Sequence, residues 1–372
     1  MSYTVKYLKN WIKRNINMMC EYRKAISVYS KEDHHRIFSI MISNFKAHLK
    51  YGISPLLYSY YQLDNVPESH WGEYFVDQKK FNQLLAGNST VEARRDVGNK
   101  LQFYRHCITK KLPTIPVLCV VLNECGFEID DVKIVSNLEK WHKIMPTLPS
   151  ELFIKPIVGS KGIGSFAVYR ENDNFTYAGC RGSGEDLFDY LKVRFKSGQG
   201  FIVQPRMKTH SSLIGIVSPQ GLSTIRVVTL RHNGKSEIIM ACLKIINGKN
   251  EHDNFLKGMS NNLIAPINIE TGELTSAWGS LTNDWPNMVQ YALHPDTGVQ
   301  IENFVLPLWR EVAELALRAQ ESLPLLQTIG WDIALTDEGV FIVEANTAYD
   351  AASFQLFEKR GLKSELQKLF SS

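Results

Sequence analysis

Gly330-Trp-Asp-Ile-Ala-Leu-Thr-Asp-Glu-Gly-Val-Phe-Ile-Val-Glu-Ala-Asn346 is the stretch that decides the fold of this 372-residue chain. Two β-rich runs flank the turn Asp337-Glu338-Gly339, and a three-residue hairpin loop usually places glycine in the left-handed conformation. This register pairs Asp332 with Glu344. Because side chains alternate along a strand, Asn346 is expected on the same face as Glu344. The residues expected on the opposite face are Ile333, Leu335, Phe341 and Val343.

The predicted face carries two carboxylates and an amide, with no histidine or thiolate nearby. Hard oxygen donors of this kind suit Mg²⁺, which usually takes one or two carboxylates and completes its shell with phosphate oxygens and water. The sequence therefore predicts one half of a metal-nucleotide site. The alternative is an edge hairpin with one solvated acidic face.

Composition is that of a globular protein, with 44% hydrophobic and 22% charged residues. A formal charge of +4 is too small to indicate nucleic acid as a partner, and no nucleic-acid motif is present. The six cysteines are scattered without a CxxC pair, which predicts reduced, mostly buried thiols and excludes a zinc site. They are Cys20, Cys107, Cys119, Cys125, Cys180 and Cys242.

The amino-terminal region is locally basic. Residues 1–50 contain ten Lys and Arg against three Asp and Glu. This pattern allows an amphipathic helix on anionic lipid, or a helix packed on its own domain with a solvated basic face. The interleaved apolar residues are Tyr7, Leu8, Trp11, Ile12, Ile16 and Met19. No apolar run approaches the roughly 20 residues needed to span a bilayer, and no secretory signal is evident, so we expect a cytoplasmic protein, with the membrane's inner face as a peripheral contact.

The order of helical and strand-like patterns predicts an α+β protein with three parts. Residues 1–95 are predicted as a mainly helical domain, residues 96–203 as a linker helix and a subdomain with a glycine loop, and residues 204–372 as a subdomain with the metal site. Strands and helices do not alternate strictly, which excludes a doubly wound parallel sheet.

A glycine-rich loop lies between two strand-like runs in the stretch 153–169. Its backbone N–H groups could surround phosphate, and it leads into another strand without a GK[ST] ending, so it is neither a P-loop nor a Rossmann turn. Lys155 lies just before it in an apolar run, where an unpaired ammonium is costly unless an anion meets it. The loop residues with this predicted role are Gly159, Ser160, Lys161, Gly162, Gly164 and Ser165.

Two further cations lie inside apolar strands, Arg226 and Lys244. Buried charges must be paired, and a metal site with bound triphosphate would account for both. The alternative for each is a structural ion pair or a side chain that reaches solvent at an edge strand.

Read in order, Lys100, Lys155, the glycine loop and the Asp332, Glu344 and Asn346 set resemble the ATP-grasp superfamily, as in D-alanine ligase, carbamoyl-phosphate synthetase and glutamate-ligase enzymes. A narrower likeness, to the sugar-transfer-associated ATP-grasp family, covers residues 222–229, 252–255, 294–298 and 328–332.

The resemblance implies two α+β subdomains that close on ATP. It implies that Lys100 and Lys155 hold the α- and β-phosphates, that the glycine loop covers them, and that the three hairpin residues hold two Mg²⁺ ions. The implied adenine hinge is Gln204, Pro205, Arg206 and Met207. His210 follows the hinge in Lys208-Thr-His210, where many such enzymes place a carboxylate for the ribose. Some also have arginine at the position of Gly330, which leaves Arg226 or Lys244 to stabilise the transferred phosphoryl group.

The implied reaction activates a carboxylate with ATP to an acyl phosphate, which an amine then attacks to form an amide. We expect an amino acid or amine joined to a sugar acid in polysaccharide biosynthesis, with Asp253, Asn254 and His294 contacting the acceptor. Two alternatives are a phosphotransferase acting on a sugar hydroxyl and a nucleotide-binding assembly protein without turnover. The oligomeric state is not predicted.

Overall fold

The structure is a computed structural model, and it describes residues 16–29, 34–87, 89–122, 132–159, 162–194, 200–280 and 285–371. Residues 16–27 form helix α1. The other helices are α2 (His34–Tyr51), α3 (Pro55–Tyr60), α4 (Gln78–Ala86), α5 (Val91–Gly98), α6 (Lys100–Thr109), α7 (Leu138–Ile144), α8 (Gly184–Val193), α9 (Trp309–Glu321), α10 (Ala351–Glu358) and α11 (Lys363–Ser371).

Fourteen strands alternate irregularly with these helices along the described parts of the chain, which confirms the α+β class. They are β1 (Cys119–Val121), β2 (Lys133–Val135), β3 (Glu151–Pro156), β4 (Phe166–Glu171), β5 (Asn174–Tyr177), β6 (Cys180–Ser183), β7 (Phe201–Pro205), β8 (Thr224–His232), β9 (Lys235–Ile245), β10 (Leu263–Pro266), β11 (Ala277–Gly279), β12 (Val289–Tyr291), β13 (Thr328–Thr336) and β14 (Gly339–Asn346).

The first sheet has the strand order β2-β1-β7-β3-β4-β5-β6. All its neighbouring strands are antiparallel except β1 and β2. Helices α7 and α8 cover one face, where Trp141 and Phe188 stack over a buried apolar cluster. The predicted glycine loop connects β3 to β4, so it projects from the middle of this sheet.

The second sheet has the order β12-β11-β10-β9-β8-β13-β14, and every neighbouring pair is antiparallel. Helix α9 packs on one face through Val312, Leu315 and Ala316, against Val227 and Ile329 of the strands. The opposite face lines a cleft through Arg226 and Lys244, and its apolar residues Cys242 and Ile264 share a cluster with residues of the amino-terminal helices.

The β13–β14 hairpin pairs Asp332 with Glu344, as predicted, but by a different route. Thr336 pairs with Gly339, so the loop has two residues rather than the predicted three, and a bulge at Val343 restores the predicted register at Glu344. The prediction that Val343 lies on the apolar face opposite Glu344 is therefore wrong. Ile342 joins the core beside Ile333, whereas Val343 lines the cleft.

The described residues before residue 96 are mainly helical, and they share hydrophobic clusters with the second sheet. Tyr58 and Tyr61 lie in one cluster with Ile264 and Leu356, and Phe81 packs near Phe370. The division into domains at residues 95 and 203 stays a prediction.

None of the described helices is both long and apolar enough to cross a membrane. The five described cysteines are free, and Cys125 lies outside the described residues. Cys107, Cys119 and Cys242 are buried, whereas Cys20 and Cys180 are exposed.

Candidate active site

A cleft of about 760 Å³ lies between the two sheets. Its floor is the face of the second sheet opposite helix α9, where alternate residues of neighbouring strands share one side. Its lining includes the following predicted site residues: Lys100, Lys155, Gly159, Gly162, Ser165, Gln204, Pro205, Arg206, Met207, Arg226, Lys244, Asp253, Asn254, Asp332, Glu344 and Asn346. Ser160 and Lys161 lie outside the described residues.

Asp332 is the centre of the charged floor. Arg226, its cross-strand neighbour, donates from Nε to Oδ1 at 2.8 Å and from a terminal nitrogen to Oδ2 at 3.1 Å. Lys244 Nζ lies 3.0 Å from Oδ1, and Asn346 Nδ2 donates to Oδ2 at 3.2 Å. A carboxylate offers about four lone-pair sites. Four donors therefore saturate Asp332.

This arrangement fixes the charge of Asp332. Burial opposes ionisation, but the charges of Arg226 and Lys244 outweigh it and hold the pKa of Asp332 well below its usual value. Burial also opposes the charge on Lys244, yet Asp253 and Asp332 together raise its pKa. Asp332 and Lys244 are thus both charged throughout the physiological pH range.

Asp253 continues the network on the side away from Asp332. Its Oδ2 lies 3.0 Å from Lys244 Nζ and accepts from the Thr224 hydroxyl and, at 3.1 Å, from the Thr224 backbone N–H. Asp253 was predicted to contact the acceptor. It lies at the cleft, and in this structure its Oδ2 positions Lys244.

Lys100 connects the glycine loop to the hairpin. Asn99 caps helix α6 by accepting from the Leu101 and Gln102 N–H groups, which places Lys100 in the first turn. Lys100 Nζ donates to the Gly159 carbonyl at 2.7 Å and lies 3.4 Å from Glu344 Oε1. One cation thus links the two walls of the cleft.

Lys155 is the contrasting cation. Its side chain is buried on β3, and it forms no hydrogen bond or ion pair with any other residue that the structure describes. Burial lowers the pKa of Lys155 to about 8, an effect that Glu344 opposes and Lys100 reinforces. A ligand anion would stabilise its charged form.

The glycine loop lies against the segment that follows β9. Gly162 has φ +69°, and a Cβ atom there would lie 3.3 Å from Asn254 Nδ2 and 3.5 Å from the His252 ring. This close approach closes one end of the cleft. Gly164 does not line the cleft, because it packs on the Pro156 ring.

The predicted adenine hinge has side chains with internal partners. Gln204 donates to the Ile115 carbonyl at 2.9 Å, and Arg206 contacts Glu151 at 2.9 Å and the Gln220 carbonyl at 2.7 Å. The hydrogen bond from Arg206 holds the pKa of Glu151 below its usual value. These contacts hold the side chains of Gln204 and Arg206 within the protein, and the role of the hinge in binding adenine stays a prediction.

Two predicted ligand contacts lie outside the cleft. His210 caps a short 3₁₀ turn, where Nδ1 accepts from the Ser212 N–H at 3.1 Å. His294 is buried in its own turn, where Nδ1 accepts from the N–H groups of Asp296 and Thr297. Neither residue lines the cleft, and each imidazole uses Nδ1 to cap a local turn, so their contacts with a ligand stay predictions.

Several cleft residues were not predicted from the sequence. They are Gln78, Asn82, Glu251, His252, Lys257, Tyr349 and Asp350. The two from α4 belong to the amino-terminal region, which no motif linked to the site. His252 belongs to the segment 252–255 that carried the narrower resemblance, so that signal was present.

The donor set can be compared with the needs of Mg²⁺. No group of three His, Cys, Asp or Glu side chains arranged for a metal occurs in the described parts of the chain. Glu344 is partly exposed in the cleft. The Nδ2 atom of Asn346 donates to Asp332, which leaves its side-chain carbonyl oxygen available as a ligand. These two oxygen donors suit a Mg²⁺ ion whose remaining ligands are phosphate and water. Asp332 would have to release a donor first.

Two α+β halves, a glycine loop between antiparallel strands and a hairpin of oxygen donors across a cleft define the ATP-grasp fold. The model of the family described as sugar-transfer associated ATP-grasp matches residues 82–370. The chain belongs to this family, whose superfamily consists largely of ADP-forming ligases. No curated protein matches the chain.

Solved structures give weaker likenesses. D-alanyl-alanine synthetase A from Vibrio cholerae is 14% identical, with a TM-score of 0.45 over 76% of this chain and 68% of that one. A biotin carboxylase complex from Campylobacter jejuni is 11% identical, with a TM-score of 0.45 over 80% of this chain and 53% of that one. N5-carboxyaminoimidazole synthase from Aspergillus clavatus is 10% identical, with a TM-score of 0.40 over 78% of this chain and 58% of that one. The chain spans less than two thirds of the latter two, and TM-scores this low carry no functional argument.

Proposed function

We propose that the protein is an ATP- and Mg²⁺-dependent ligase that joins a carboxylate to an amine through an acyl phosphate. The observation that carries the proposal is the meeting of two unlike walls in one cleft. Lys100, Lys155 and the glycine loop supply cations and backbone donors on one side, and the β13–β14 hairpin supplies oxygen donors on the other.

The lysines suit a polyphosphate. Lys155 lacks a described partner, and a phosphate group would supply the counter-charge that its burial requires. Lys100 already holds the Gly159 carbonyl, so a phosphate bound there would fix the loop that covers it. The backbone of the hinge at Pro205 and Met207 is the proposed contact for adenine.

Glu344 and Asn346 are the residues that we propose hold magnesium, with Asp332 joining if one of its donors moves. Bound there, the ion would neutralise charge on the phosphates and orient them. In the described arrangement Asp332 orients Arg226 and Lys244, whose cationic groups line the same cleft and suit the transferred phosphoryl group.

The proposed reaction has two displacements. An oxygen of the substrate carboxylate attacks the γ-phosphorus and ADP leaves; the amine then attacks the acyl carbon, phosphate leaves and the amine loses a proton. Neither step needs a covalent enzyme nucleophile. Cys242 lines the cleft, but burial raises the pKa of its thiol to about 12, which keeps it protonated.

The proposed carboxylate is a sugar acid, and the proposed amine is an amino acid or a related amine, in polysaccharide assembly. The family description, which associates it with sugar transfer, supports the sugar. Asn254 is the proposed acceptor contact, since it borders the cleft beside the glycine loop.

The test is ADP release with Mg-ATP against a panel of uronic acids and amines, with and without hydroxylamine. The expected result is a hydroxamate that depends on one sugar acid and is lost in Glu344→Gln. The matched control is Glu338→Gln, at the exposed tip of the same hairpin. A stable phosphorylated sugar, insensitive to hydroxylamine, would instead identify a phosphotransferase and refute the ligase.

A further inference from the structure

Helix α2 carries a solvent-exposed apolar face, which we call the α2 outer face. Between 46% and 69% of the surface of each of its residues is exposed. They are Phe38, Met41, Ile42, Phe45 and Leu49. Their spacing follows the helical repeat, so they form one continuous stripe along the helix.

The opposite face of α2 attaches the helix to the protein. It buries only Ile40, Asn44 and Ala47, which are fewer and smaller groups than those on the outer face. Five large apolar side chains of the helix are thus exposed, whereas two apolar side chains, Ile40 and Ala47, are buried. Contiguous apolar surface of this kind usually marks a binding site on a soluble protein.

The charges on and around this helix are mostly positive. Helix α2 contains Arg36, Lys46 and Lys50 and no Asp or Glu. Carboxylates of the next segment offset part of this charge, because Asp64 lies 3.7 Å from Arg36, and Glu68 lies 2.5 Å from Lys46 and 3.1 Å from Lys50. Over the described helices α1 and α2 together, five Lys and Arg stand against one acidic residue, Glu21.

We infer that the α2 outer face docks on an anionic lipid bilayer, with the helix lying in the plane of the interface. Large apolar side chains enter the boundary between headgroups and acyl chains, and long cationic side chains reach the phosphates. An 18-residue helix is about 27 Å long, which gives a contact of several turns.

A second copy of the chain fits this surface less well. A two-fold contact would set α2 against itself, so that its three Lys and Arg, with only Asp64 and Glu68 beside them, would face the same excess of positive charge. Helix α1 adds to the lipid-facing surface. Tyr22 of α1 lies 6.3 Å from the Phe45 ring, and Met19, one turn earlier, is exposed.

The docking surface and the cleft lie on two sides of one hydrophobic cluster. Ile40 and Ala47 of α2 share this cluster with Cys242 and Ile264, which also line the cleft. Docking itself does not rest on the proposed reaction.

The test is co-sedimentation of the full chain with vesicles of phosphatidylcholine alone or mixed with phosphatidylglycerol. We expect binding only to the mixed vesicles, reduced by salt. Phe38→Ser/Ile42→Ser/Phe45→Ser should weaken binding at least about tenfold without lowering the Tm. The control is Val91→Ser/Val193→Ser/Leu325→Ser, which changes three residues that are at least as exposed elsewhere and should bind normally.

Tryptophan at position 45 gives an independent readout. We expect brominated lipid to quench the added fluorescence of Phe45→Trp and not that of Leu325→Trp. The inference would be overturned if the wild-type protein did not co-sediment with mixed vesicles, or if the triple α2 variant bound them as well as the wild type does. Loss of a dimer in the α2 variant, without vesicle binding by the wild type, would assign the face to a second copy instead.

Discussion

The two walls of the cleft handle buried charge in opposite ways. On the second sheet, Arg226 and Lys244 are matched by Asp332 and Asp253 at 2.8 to 3.1 Å. On the first sheet, Lys155 is equally buried but has no ion pair among the described residues, and its pKa falls to about 8.

This difference separates positioning from binding. A saturated ion-pair network holds its groups in place whether or not a ligand is present, because removing either partner would strand a buried charge. An unpaired buried ammonium lowers stability until an anion arrives. The charged side chains of the second sheet are thus held in place before a ligand binds, whereas the charge of Lys155 on the first sheet is stabilised only when an anion is bound.

The largest effect is expected from Asp332→Ala, which leaves the partly buried Arg226 and the buried Lys244 without this carboxylate. The free energy of unfolding should fall by about 3–5 kcal/mol, and turnover should be lost. Chemical denaturation and ADP release measure the two effects. Asp189→Ala, at an exposed position, is the control. Unchanged stability in Asp332→Ala would show that the network does not hold the floor.

Lys155→Met should separate stability from activity. Removing an ammonium whose pKa has fallen from 10.5 to about 8 should stabilise the fold by up to roughly 3 kcal/mol at neutral pH. Turnover should nevertheless fall about 10²-fold, since a donor to the phosphates is lost. The Tm and the kcat/KM for ATP report the two effects, and Lys235→Met, exposed on β9, should change neither. A lower Tm in Lys155→Met would contradict the assignment.

The apparent KM for ATP should depend on pH through the same residue. Only the protonated Lys155 attracts phosphate, and its pKa in the free protein is about 8, so affinity is full below this pH and falls as the pH rises through it. The KM should rise about tenfold per pH unit above pH 8. Lys155→Arg keeps its charge and should remove this slope. A flat wild-type profile would exclude the contact.

The smallest effect concerns closure of the cleft. Gly162→Ala and Gly234→Ala both place alanine at a left-handed position, with φ +69° and +77°, but only the first adds a Cβ that meets other residues. Each should cost about 1–2 kcal/mol of backbone strain. Only Gly162→Ala should raise the KM for ATP, by about fivefold. Equal KM values in the two variants would argue against contact between the loop and residues 252–254.

Local signals in the sequence predicted much of the site. The predicted three-residue loop paired Asp332 with Glu344 because its extra residue has the same effect on register as the bulge that the structure places at Val343, and the glycines between β3 and β4 marked the loop. Arg226 and Lys244 were recognised as buried cations because apolar residues surround them on both sides.

Partners distant in sequence were beyond prediction. Asp332 lies 106 residues from Arg226, and the strand order that brings β8 beside β13 leaves no local pattern. The role of His294 could not be predicted either, because the same local sequence is compatible with a histidine that caps its own turn and with one that contacts a ligand. Helix α4 reaches the cleft only through tertiary packing.

The bulge at Val343 has a consequence for changes in chain length. After a two-residue turn, regular pairing would place Val343 opposite Asp332 and turn Glu344 away from the cleft. Because Val343 is unpaired, Glu344 takes the position opposite Asp332 instead. Deleting Val343 would straighten β14 and leave Glu344 opposite Asp332. Deleting Ala345 would turn Asn346 towards the core. Sequences that lose one residue in this hairpin are therefore expected to lose it on the turn side of Glu344.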